Sequence, residues 1–155
     1  MTLLELLTTA SVLLTLASVA MPLSRFAQKR MQEIALRETL RETRSAIDRF
    51  YDDWNRASGP YCKKYPLACA EGSSEYGYPN SLEVMVEGTP LGETSEKRKK
   101  YLRRIPIDPV VGKATWDIRC YKNGPDALTA CDEDVYDISS TSDGVALDGS
   151  EYRSW

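Results

Sequence analysis

Residues 1–21 read MTLLELLTTASVLLTLASVAM, an apolar run whose single charged side chain is Glu5, and Pro22 follows at once. No other stretch restricts the chain as strongly. About twenty helical residues at 1.5 Å each match the roughly 30 Å hydrocarbon core of a bilayer, so the run predicts a membrane-spanning helix. A secretory signal peptide is the competing reading, with Ser18-Val19-Ala20 as its cleavage site. Signal peptides begin with positive charge, whereas here no basic residue precedes Arg25 and an acid stands at position 5.

Glu5 calls for a partner, because a charged side chain in the hydrocarbon costs about 2.5–3.5 kcal/mol. The nearest positive charge is the α-amino group of Met1, reachable within one helix or between neighbouring chains. At about 4 Å and an effective dielectric near 20, such a pair attracts by about 4 kcal/mol and rewards one axial stagger over others. A snorkelling or protonated Glu5 is the alternative. Pro22 lacks the amide donor and crowds the preceding turn, which predicts a kink or a locally unwound stretch there.

Composition narrows the function classes. The chain of 155 residues has no histidine and a net charge of −3. The commonest general base and metal ligand is therefore missing, and nothing resembles a nucleophile–base pair or a phosphate loop. The charge balance argues against a nucleic-acid binder. An enzyme is not expected. The four cysteines, Cys62, Cys69, Cys120 and Cys131, are spaced too widely for paired zinc knuckles and suit disulfides in an oxidising compartment. Three pairings are open, together with free thiols. The local pairing, Cys62 with Cys69 and Cys120 with Cys131, is preferred.

Beyond Pro22, apolar residues recur at Leu36, Leu40, Ile47, Phe50 and Trp54, with Thr43 in the gap. That is one helix face. Glu33–Arg37 and Arg44–Asp48 stand four apart and can pair across a turn. One helix from the membrane into the body is expected, with two helices hinged at Pro22 as the alternative. Ser58-Gly59-Pro60 ends it. Asn80 or Ser81 caps a short helix over residues 82–86 that stops at Gly88. Residues 113–121 predict a strand with Trp116, Ile118 and Cys120 on one face, and residues 135–139 a second strand. The expected fold is α+β: a long N-terminal helical spine on a small antiparallel sheet, with residues 1–23 as the apolar helix and 24–155 as the body. Tyr61, Tyr65, Tyr76 and Tyr78 serve either loop packing or a binding surface. The basic run Lys97-Arg98-Lys99-Lys100 with Arg103-Arg104 suits a solvated face, acidic lipid or phosphate, or an acidic patch on a neighbouring subunit.

Thr2-Leu3-Leu4-Glu5-Leu6-Leu7 with Pro22 resembles the N-terminal signature of the type IV pilin and type II secretion pseudopilin superfamily. Tyr78-Pro79-Asn80-Ser81-Leu82-Glu83, Tyr101-Leu102-Arg103-Arg104-Ile105-Pro106-Ile107-Asp108-Pro109 and the tail Val135-Tyr136-Asp137-Ile138-Ser139-Ser140 with Asp143-Gly144 and Asp148-Gly149 are similar to the body of major, G-type pseudopilins. The resemblance implies a pilin-like fold and a structural subunit that self-assembles through its N-terminal helix. It implies that Met1 is the processed, N-methylated first residue after a prepilin peptidase, and that an assembly ATPase and a platform protein extend the filament. The subunit would reside in the bacterial inner membrane before assembly and in a periplasmic or extracellular filament afterwards. It also implies a Ca²⁺ in the C-terminal loop, with Ser140, Asp143 and Asp148 as ligands. The D-x-D-x-D-G spacing of an EF-hand is absent, and turn-shaping is the other role open to these aspartates. The alternative function is a single-span, membrane-anchored periplasmic ligand-binding module.

Overall fold

The computed structural model describes residues 2–55, 72–90, 98–124, 131 and 133–155. Met1, Cys62, Cys69, Tyr61, Tyr65, Lys97 and Asp132 lie outside the described residues.

A single helix, α1 (Leu3–Asn55), runs through Pro22. The unwound stretch expected at the proline is therefore not found. Proline removes one i→i−4 hydrogen bond, while the turns on either side keep theirs and carry the helix across. The two halves of α1 differ completely in burial. Leu36, Leu40, Thr43, Ile47, Phe50 and Trp54 are all buried, as their spacing requires. Among the described side chains, the large apolar residues before Glu33, such as Leu3, Leu14, Leu23, Phe26 and Met31, stand exposed.

The body packs on the second half. A short helix, α2 (Leu82–Glu87), follows Ser81 and ends at Gly88. Gly88 has φ 87°, and a Cβ there would stand 2.8 Å from the Lys99 carbonyl oxygen, so both the conformation and the close approach demand glycine. β1 (Thr89–Pro90) and β2 (Arg98–Lys99) form one antiparallel pair. β3 (Trp116–Arg119) and β4 (Asp137–Ser140) form the other, with Trp116 opposite Ser140 and Ile118 opposite Ile138. This register puts Trp116, Ile118, Ile138 and Ser140 on one face, and the sheet packs that side against α1 through β4. The strands are shorter than the sequence pattern suggests, but the inward residues are the expected ones. A 3₁₀ turn, Tyr152–Ser154, closes the chain over β4.

The connector before β3 is held by Asp108, which is fully buried. Its carboxylate accepts the backbone N–H groups of Val110 (2.7 Å) and Val111 (3.2 Å), and the hydroxyl of Ser140. Trp116 donates its indole N–H to the Pro106 carbonyl. The Ile-Pro-x-Asp-Pro block is thereby tied to the end of β4, where proline can do no harm to a ladder. Cys120 and Cys131 form a disulfide, the second half of the preferred local pairing.

Candidate functional site

The exposed N-terminal half of α1 is the first candidate surface. Leu3 (79% exposed), Leu4, Leu6, Leu7, Val12, Leu13, Leu14 and Leu16 all face outward, and the helix carries an 18-residue window apolar enough to cross a membrane by length and composition. It is therefore a candidate membrane anchor. The threonines and serines among these residues turn their hydroxyls back onto the helix: Thr8 donates to Glu5 O, Thr9 to Leu6 O, Thr15 to Val12 O and Ser18 to Thr15 O. Their polar groups are satisfied locally, leaving an apolar exterior. Glu5 is the exception. Its backbone N–H bonds to Thr2, but its carboxylate has no partner among the described residues.

The second candidate region is the seam between α1 and the C-terminal tail. Lys29 donates to the Val145 carbonyl (2.6 Å). Glu33, buried, accepts the Leu147 N–H (2.8 Å) and the Tyr152 hydroxyl (3.0 Å). Arg37 pairs with Asp148 at 2.9 Å and lies over the Trp155 ring. Arg44 binds the Asp137 carboxylate and the carbonyls of Ile138 and Trp155. The within-helix pairs Glu33–Arg37 and Arg44–Asp48 are replaced by these long-range contacts, since a side chain beside the body is better desolvated there than on the open helix face. The spacing 29, 33, 37, 44 was the available signal: four polar residues on one side of the apolar stripe.

The residues assigned to calcium serve different partners. Ser140 is buried and donates to Asp108. Asp143 pairs with Arg153, and Asp148 with Arg37 and Ser150. The Ser150 hydroxyl and amide, with Arg37, hold the Asp148 carboxyl below its ordinary range. Among the described residues no three His, Cys, Asp or Glu side chains gather as a metal site.

The described part of the basic run is divided. Lys99 pairs with Asp53, which also accepts the Tyr101 hydroxyl, while Arg98 donates to the Gly88 carbonyl. Arg103 and Arg104 instead line an open cleft of about 700 Å³ with Arg41 and Arg49 of α1. Tyr76 and Tyr78 belong to a ring cluster with Tyr51, Tyr121 and Tyr136, with centroid separations from 4.6 to 5.6 Å. Burial among these rings pushes the Tyr78 phenol up to about 12. The sequence pattern did not signal Tyr121 and Tyr136 as members.

Comparison of the chain with protein-family models, with curated proteins and with solved structures finds no match.

Proposed function

We propose that this chain is a structural subunit of a filament of the type IV pilus or type II secretion pseudopilus kind, held in a membrane by its N-terminal helix before assembly. The observation that supports this reading is the outward-facing apolar half of α1, with the carboxylate of Glu5 lacking a partner among the described residues. A plain anchor needs the apolar length but has no use for an acid within it. A helix that leaves the bilayer to pack on its copies buries the same surface and supplies Glu5 with a positive partner from a neighbour. Burying each large apolar side chain contributes about 1.5–3 kcal/mol, so a dozen of them drive association once water is the alternative.

Processing by a prepilin peptidase and extension by an assembly ATPase and platform protein come with the resemblance. So does calcium in the C-terminal loop, where Asp143 and Asp148 pair with Arg153 and Arg37. A calcium titration of the melting temperature tests it, and an unchanged value removes calcium from the proposal.

The central experiment is Glu5→Leu. The variant is expected to stay in the membrane, keep a folded body and fail to form filaments. Normal filaments from this variant would overturn the pairing role. A single-span binding module is the second reading, favoured by the arginine-lined cleft between α1 and the connector. Electron micrographs of purified particles separate the two: filaments support assembly, and detergent-bound monomers support the module.

A further inference from the structure

Between the apolar run and the body, α1 changes chemistry without changing structure. Residues 6–32 contain no acid, and all three of their cations fall within six residues: Arg25, Lys29 and Arg30. Lys29 is used to hold the tail loop. Arg25 and Arg30 are exposed and make no hydrogen bond or ion pair among the described residues. Leu23 and Phe26, beside them, are exposed as well.

The loop that Lys29 grips has the same character. Residues 145–151 form a tight hairpin: Val145 bridges Glu151, Ala146 donates to the Ser150 carbonyl, and Gly149 turns at φ 88°. Ala146 is buried against the core, yet its neighbours Val145 (50% exposed) and Leu147 (38% exposed) stand in the open. The loop is not loose. Lys29 fixes one side and Glu33 the other, through the Leu147 N–H. Two aliphatic side chains are thus held exposed at the end of the body nearest the apolar helix.

The heights agree. If the hydrocarbon ends near Pro22, Arg25 lies about 5 Å and Lys29 about 10 Å farther along the axis, and the headgroup layer is about 5–8 Å deep. An ordinary helix tilt of about 20° toward the body brings the hairpin tip to that layer. A second copy at the same level would present the same cations and repel, whereas an anionic leaflet attracts them.

We propose that residues 23–30 of α1 and the hairpin tip at Val145 and Leu147 form one membrane-facing surface that seats the body on anionic lipid headgroups. This rests on reading the N-terminal half of α1 as a membrane span. Arg25 and Arg30 bind headgroup phosphates, Leu23 and Phe26 enter the interface, and Val145 and Leu147 rest on it. The orientation of the body on the membrane is then set by two points, the helix and the hairpin.

The test uses the full chain in lipid nanodiscs carrying a paramagnetic headgroup label, with methyl relaxation read by NMR. Ile107 is the internal control: it is exposed and lines the cleft beside Thr39 and Arg41, at least ten residues or about 15 Å farther up the helix than Lys29. In anionic nanodiscs the Val145 and Leu147 methyls should broaden while Ile107 stays sharp. Each cation near an anionic leaflet contributes about fivefold, so Arg25→Gln with Arg30→Gln should lower the contact equilibrium about 25-fold, returning both methyls to the Ile107 level. Val145 and Leu147 as sharp as Ile107 in anionic discs would overturn the surface. Equal broadening in anionic and zwitterionic discs would overturn the headgroup recognition. Failure of the Leu13 and Leu14 methyls to contact lipid would instead overturn the membrane reading beneath it.

Discussion

The two halves of α1 are one element with two fates. Residues 36–54 place seven buried side chains on the body, Ala46 among them. Residues 3–31 are at least as apolar, yet the large side chains described there stand open. Propensity does not separate them, since both are helical throughout. What differs is the source of the partner. The second half satisfies its apolar stripe within the chain, whereas the first half is apolar around its circumference, which suits a surrounding of lipid or of other helices. The difference teaches that, among the described residues, the body packs only on the second part of α1, and that the first part is a candidate membrane anchor.

Substitutions in the two halves should therefore report on different equilibria. Phe50→Ala removes a fully buried ring that touches Trp54 and Tyr101. It should destabilise the body by about 3–5 kcal/mol in denaturant unfolding. Leu14→Ala, in the exposed half, should change that value by less than about 0.5 kcal/mol. Similar losses from both would break the comparison.

Cys131→Ser opens the disulfide to Cys120, which spans 11 residues. A loss of about 3 kcal/mol in body stability is expected under oxidising conditions. Under reducing conditions wild type and variant should coincide.

Glu33 sharpens the boundary between the halves, because it is the first buried side chain of α1 among those described. Glu33→Gln weakens the charge-assisted bonds from Tyr152 and Leu147 and should cost about 1 kcal/mol. The same contact has an alkaline signature. Burial and the Glu33 carboxylate push the Tyr152 phenol up to about 12, and Tyr78 is raised to about 12 as well. Both phenols are more easily ionised in the unfolded chain, with an ordinary value near 10. Their contribution is thus complete below about pH 10 and is lost as the pH rises toward 12. In Glu33→Gln the alkaline loss should be smaller, since one cause of the Tyr152 shift is gone.

The smallest effect belongs to Arg37. Its pair with Asp148 is exposed on both sides, so Arg37→Gln should move the melting temperature little. The Asp148 carboxyl is held below its ordinary value, so what stability it lends is present above that value and fades as the pH falls. Arg37→Gln should weaken this acid dependence only in part, because Ser150, the larger cause, remains.

Much of the body was legible in the residues. The stripe Leu36 to Trp54, the inward face Trp116–Ile118–Cys120 and the stop at Gly88 follow from spacing and from the conformational freedom of glycine. The polar seam was legible only in part. Local pairing looked adequate for Glu33 and Arg44, and nothing nearby in sequence reveals that residues 137 to 155 return to them. The Ser140 hydroxyl donates to Asp108 and accepts the Ser142 N–H, links that its sequence neighbours do not announce.

By itself the sequence determined the long helix, its apolar first part with one acid, and the α+β character of the body, because these depend on periodicity and on local steric rules. Only the tertiary structure decided where the charges of α1 go, that Asp108 locks the connector to β4, and that Val145 and Leu147 stand exposed beside the cations at residues 25–30. Those outcomes depend on contacts between residues more than thirty apart in the chain, where no local rule reaches and packing alone selects the partner.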